Sequence, residues 1–190
     1  GELYDPDITG YQAPGDVGQS ITLKVGNPQD AIAPGQFFPI DLPPLDCTCG
    51  IDPQSGADQY RWNIGNCNPF TVAPGDRLQV KPGNMVGPTR QGIQLLIDQD
   101  PNAYWSSGDQ TVMGSAYGWS PRIILVPFFD PSNPPESGRN WVEVVKIGAF
   151  FLEEIQGDDV TGRFIKANVS GTPCGEEDEG TFLGGIRLVE

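Results

Sequence analysis

Histidine is missing from all 190 residues. Its absence excludes Ser-His-Asp and Cys-His nucleophilic machinery, histidine general bases and the usual histidine-bearing zinc sites. Positive charge is scarce too, with 11 lysines and arginines against 25 aspartates and glutamates, a net charge of −14. A field of that sign repels phosphate backbones and anionic lipid, so nucleic acid and membrane surfaces are poor partners. Long apolar runs are also wanting. None approaches the roughly 20 residues of a membrane-spanning helix, and no signal-peptide pattern is present. The expectation is the exported part of a longer protein, or a product from which such segments were removed.

Glycine (25) and proline (19) are plentiful and spread along the whole chain. With 37% hydrophobic and 19% charged residues, the composition is that of a folded domain with a sizeable core. Dense turn residues between short apolar stretches point to an exported, mostly β protein. We expect a single antiparallel sandwich or barrel-like domain over residues 19–190, with one short helix and long ordered loops, behind an extended arm at 1–18.

Four cysteines, Cys47, Cys49, Cys67 and Cys174, make an even count. Cys47-Thr48-Cys49 lacks the two-residue spacer of zinc and thioredoxin motifs, so two disulfides in an oxidising compartment are expected. Three pairings are open. A ring closed between Cys47 and Cys49 would be strained, which favours one of them bonding Cys67 and the other Cys174.

Periodicity predicts strands at 20–25, 36–42 (interrupted by Pro39, hence at an edge), 76–81, 121–129, 141–155, 160–169 and 182–189. The continuous apolar run PRIILVPFF at 121–129 reads as the central strand, and 141–155 as a long bent strand with Gly148 at a bulge, with a helix over 146–155 as the alternative. Residues 43–59 read as a cysteine-bearing loop with 60–67 leading into a turn, and 103–119 as a packed aromatic loop. Helical spacing of Ile93, Leu96 and Ile97 predicts a helix over 88–99, ended by Asp100-Pro101.

Short motifs yield little chemistry. Gly83 to Thr89 misses the phosphate-loop spacing by one residue and places Pro88 where a lysine is needed, so it reads as a loop that starts the helix. Asp98, Asp100 and Asn102 have the spacing that opens a calcium loop but lack its glycine and distal glutamate; Asp52, Asp58 and the run Glu176-Glu177-Asp178-Glu179 are further weak calcium candidates. Calcium is the one cofactor this reading entertains. Glu153 and Glu154 are the paired carboxylates a hydrolase would need to set across a cleft. Gly114-Ser115-Ala116-Tyr117-Gly118 puts Ser115 one place too early for a nucleophile elbow. Asn168-Val169-Ser170 fits the N-glycosylation sequon. No catalytic residue is assigned.

The longer stretches SITLKVG (20–26), NIGNCNP (63–69), KPGNMVGPTRQGI (81–93), SPRIILVPFFDP (120–131), VVKIGAFFLEEI (144–155) and DVTGRFI (159–165) occur in one order. Together they resemble the C-terminal extracellular region of bacterial TadE/TadG-like proteins of the tight-adherence pilus-assembly group. The resemblance implies a non-enzymatic protein of the bacterial surface, partnered by copies of itself or by other pilus and envelope proteins. It carries over no site residue. One alternative is an adhesin or glycan-binding module built on the aromatic loop, whose tryptophans and tyrosines could stack on sugars; another is a secreted hydrolase that works through carboxylates. Strand addition of the N-terminal arm to a neighbour's sheet edge is the expected mode of assembly.

Overall fold

The computed structural model describes residues 17–25, 36–42, 56–66, 70, 72–83, 85–130, 133, 135 and 141–166. The described residues are mostly β, as the turn-rich composition implies, with 42% strand against 21% helix. Its strands are β1 (Ser20–Val25), β2 (Gln36–Phe37), β3 (Arg77–Gln79), β4 (Tyr104–Ser106), β5 (Thr111–Met113), β6 (Ile123–Phe129), β7 (Trp141–Gln156) and β8 (Asp159–Ile165). Two helices among the described residues join them, α1 (Gly56–Gly65) and α2 (Val86–Gln99).

The organising element is β7, not the run 121–129. Sixteen residues long, β7 pairs antiparallel with β6 through Val144–Phe151 and with β8 through Ala149–Gln156. Residues 149–151 pair with both, so β6 and β8 lie on opposite edges. β3 pairs with Trp141–Glu143, and the bonds from Val144 to Gly75 and Asp76 put it on the β8 edge, at the other end. β1 then joins β8 antiparallel and β2 joins β1 parallel. β6 is therefore an outer strand among the described residues. The apolar run is a strand as expected, but its low polarity reflects packing on both faces and not a central place in the sheet.

The alternation of side chains along β7 explains how it serves two cores. Val142 and Val144 face one side, yet so do Ile147, Ala149 and Phe151, which have the opposite parity. The register skips Val145, since Phe128 pairs with Lys146 and Phe129 with Val144. An extra residue of this kind flips the faces and bends the strand. A second skip falls at Glu153. Gly148 is not a bulge: it pairs in register with Val126, and a Cβ there would stand 2.7 Å from the Phe128 ring. Its smallness makes room for an aromatic.

One core, with Phe38, Val72, Leu78, Val80, Ile123, Leu125 and Phe151 among its members, fills the concave side. The other sets Phe150, Leu152, Val160 and Phe164 against Ile93 and Leu96 of α2. Among the described residues the segment after β2 meets the segment after β3 at the bridge of Ile40 to Val80, where the Asp41 N–H donates to the Gln79 carbonyl and the Lys81 N–H to the Pro39 carbonyl, with Lys81 Nζ 2.5 Å from the Asp41 carboxylate beside them. The sheet thus curls without closing into a barrel.

The expectation of one helix falls short. α1 occupies residues assigned to loop and turn, because its amphipathic signal is weak and its burial comes from α2. Tyr60 and Asn63 are buried, and Gly92 of α2 admits the close approach, with a Cβ at that position only 2.7 Å from Ile64 Cβ. α2 begins two residues before the expected 88. Met85, which precedes its first residue, offers no side-chain cap; instead the Thr89 hydroxyl turns back to donate to the Met85 carbonyl at 2.7 Å. Residues 103–119 are not a loop throughout but contain the hairpin β4–β5. The expected strand at 182–189 lies outside the described residues.

Candidate functional site

The hairpin β4–β5 grows from the end of α2, and a buried polar cluster fixes it there. Asp100 follows α2 directly and is 1% exposed. Its carboxylate accepts from Ser115 Oγ and Ser120 Oγ, both at 2.6 Å, and from the Ala116 N–H at 3.1 Å. Burial alone would raise its pKa. The two hydroxyls, the amide and the nearby Arg122 guanidinium outweigh that and hold the carboxyl below the usual aspartate value. One buried anion thereby gathers the end of α2 and the returning segment 115–120.

Arg122, the lone charge in the apolar run that forms β6, is the other half of the cluster. Its guanidinium donates to the carbonyls of Leu152, Asp100, Ala103 and Glu153 at 2.6–3.2 Å and lies 5.0 Å from the centre of the Phe151 ring. Burial draws its pKa below the usual arginine value, opposed by the Asp100 and Glu153 carboxylates. A rigid fork satisfying four carbonyls is work a lysine's single ammonium could not do. The cluster joins the end of α2, the base of β4 and the bulge of β7.

On this mount the hairpin divides its side chains by face. Trp105 is half-buried against the concave core, as are Val112 and Trp119, and the Trp105 ring packs on Gly18. Tyr104 and Met113, cross-strand partners, point outward at 56% and 42% exposure. Tyr117 is 41% exposed, its hydroxyl donating to the Gln99 carbonyl at 3.3 Å. From Pro101 through Pro121 the sequence carries one charge, Asp109, in a chain with 36 charged residues in 190. An uncharged aromatic projection on a surface this acidic is a place where a partner can approach without repulsion.

The residues singled out from sequence separate accordingly. Asp98 is exposed and accepts from Gln94 Nε2 at 2.8 Å, Asp100 is saturated by internal donors, and Asn102 is exposed. They do not form a ligand set, and among the described residues no group of three or more acidic or cysteine side chains could hold a metal. Asp58 pairs with Arg61 at 3.0 Å. Glu153 accepts from Arg163 Nε at 2.8 Å and Glu154 is exposed. Cys47, Cys49, Cys67, Cys174, Asn168, Asp52 and the acidic run 176–179 lie outside the described residues. The Asp100–Ser115–Ser120–Arg122 cluster was missed, although an arginine alone in an apolar strand signals a buried partner.

Comparison with protein-family models, curated proteins and solved structures finds no match.

Proposed function

We propose that this chain is a non-enzymatic structural protein of the bacterial cell exterior, a subunit or accessory component of a surface filament or pilus. The observation that carries the reading is the hairpin: Tyr104, Met113 and Tyr117 are presented outward, nearly free of charge, on a mount built from a buried aspartate and arginine. Proteins that assemble need such a rigid apolar contact, because an ordered surface loses little entropy on binding. The ordered resemblance of residues 20–165 to tight-adherence pilus-assembly proteins supports the same reading, as does a cysteine set suited to two disulfides outside the cell. Strand addition to β6 is not the favoured contact. Pro127 in that outer strand has no N–H to offer, and a proline at an edge blunts it.

The test is sedimentation velocity of the purified chain over a concentration series, with electron micrographs of the same samples. Concentration-dependent oligomers or filaments are expected. A monomer at every concentration would refute assembly. A glycan-binding module is the second reading, favoured by the outward ring of Tyr104; monomers that give a glycan-array signal lost in Tyr104→Ala would establish it.

A further inference from the structure

Assembly through the hairpin requires a surface to receive it, and the chain carries one that matches. On the outer side of the helix pair, α1 and α2 enclose an open groove of about 540 Å³ lined by Arg61, Trp62, Arg90, Gln91, Leu95 and Asp98, among others. Two properties set it apart. Leu95 is 45% exposed, a large apolar side chain left in water on an otherwise polar helix face. Arg90 is exposed and forms no ion pair with any described residue, in a chain short of cations. An exposed leucine and a cation with no ion-pair partner among the described residues, side by side in one concavity, suit an occupant that brings apolar area and a carboxylate.

We infer that the groove seats the β4–β5 hairpin of a second copy of this chain. The match is one of chemistry. Tyr104 and Met113 supply apolar area for Leu95 and the Trp62 ring. Asp109, the hairpin's only charge, lies in the turn between β4 and β5, exposed, and offers a carboxylate to Arg90. Two surfaces with net acidic faces would repel elsewhere; here the donor side carries a single carboxylate and the acceptor side a free guanidinium. Groove and hairpin use different residues, so one copy can give and receive at once. Such a contact either closes into a reciprocal pair or propagates as a filament, according to the rotation between copies.

This inference rests on the assembly reading, and a charge exchange separates the two. Arg90→Glu and Asp109→Lys are prepared separately, both at exposed positions, with circular dichroism confirming the fold. Each alone places like charges across the contact and is expected to weaken self-association by tenfold or more in sedimentation velocity. An equimolar mixture restores it. The new carboxylate in the groove of one variant then meets the new ammonium on the hairpin of the other, while the untouched Arg90 meets the untouched Asp109. If the native chain assembles but Arg90→Glu does so equally well, or the mixture fails to recover, the groove is not the seat and the assembly reading stands. If the native chain never assembles, both fall.

Discussion

Removing the Asp100 carboxylate should be the most damaging single change in the hairpin mount. Asp100→Ala deletes the acceptor of two serine hydroxyls at 2.6 Å and of the Ala116 amide, and removes the carboxylate whose field most favours the charge on the buried Arg122. Each hydrogen bond to a charged group contributes about 1.5–3 kcal/mol. The three bonds share one desolvated carboxylate and do not add in full, so about 4 kcal/mol is the expected loss. With an unfolding slope near 2 kcal/mol per molar urea, the midpoint falls by about 2 M. Asp100→Asn keeps one oxygen as acceptor and should lose about half as much. The acid limb provides an independent reading. The folded pKa lies below the unfolded value, so this carboxylate's stabilisation is present above the unfolded pKa and fades as pH falls through the folded one. Urea midpoints at descending pH should therefore drop more steeply in the native chain than in Asp100→Asn. A midpoint for Asp100→Ala within about 0.3 M of the native value would show that the cluster fixes nothing, and the case for a rigid hairpin would go with it.

Two further outcomes test the helix pair beneath the groove. Tyr60 is buried with its hydroxyl 2.9 Å from that of Thr89, and burial pushes its pKa up to about 12. The unfolded chain releases this proton near pH 10, so stability should be complete below that and decline between about pH 10 and 12, a loss reduced in Tyr60→Phe when urea midpoints are compared across that range. Within α2, alanine should act oppositely at two glycines. At Gly87 no atom lies within 4 Å of the added methyl and helix propensity gives a gain of up to about 1 kcal/mol, whereas at Gly92 Ile64 Cβ and the Arg61 carbonyl stand 2.7 and 3.1 Å away, and crowding should cost a net of about 1–2 kcal/mol by thermal unfolding.

The class of fold was legible because it rests on local signals. Glycine and proline cut the chain into short pieces, and strands such as 20–25 and 160–165 alternate as a two-faced sheet requires. The order of strands was not legible, for a physical reason. PRIILVPFF and WVEVVKIGAFFLEEI are both apolar runs, and which one lies between neighbours depends on pairing partners far along the chain. Pro127 did hold the clue, since a proline inside a strand belongs at an edge. α1 escaped notice because GADQYRWNIG has little helical periodicity of its own. Gly92, an isolated glycine in a good helix, was the visible sign that something packs closely against α2.

The candidate site shows a different limit. Asp100 was noticed for its spacing to Asp98 and Asn102, a pattern that belongs to calcium loops, while its partners Ser115, Ser120 and Arg122 lie 15 to 22 positions on. Spacing along a chain finds ligands that one loop supplies; it cannot find an anion whose donors arrive from a hairpin and a strand. The aromatic stretch 104–119 misled in a related way. Its four rings have one composition but two destinies: in β4, where adjacent residues face opposite sides, Trp105 turns to the core and Tyr104 to water, and beyond the hairpin Trp119 packs on the core while Tyr117 is exposed. A tyrosine is the better residue to expose, its hydroxyl tolerating water while its ring waits for a partner. Burial of the tryptophans and exposure of the tyrosines thus divide a single segment into an anchor and a contact. That division makes the hairpin more than a turn, for a loop with all four rings inside would be core, and one with all four outside would be held by its polar mount alone.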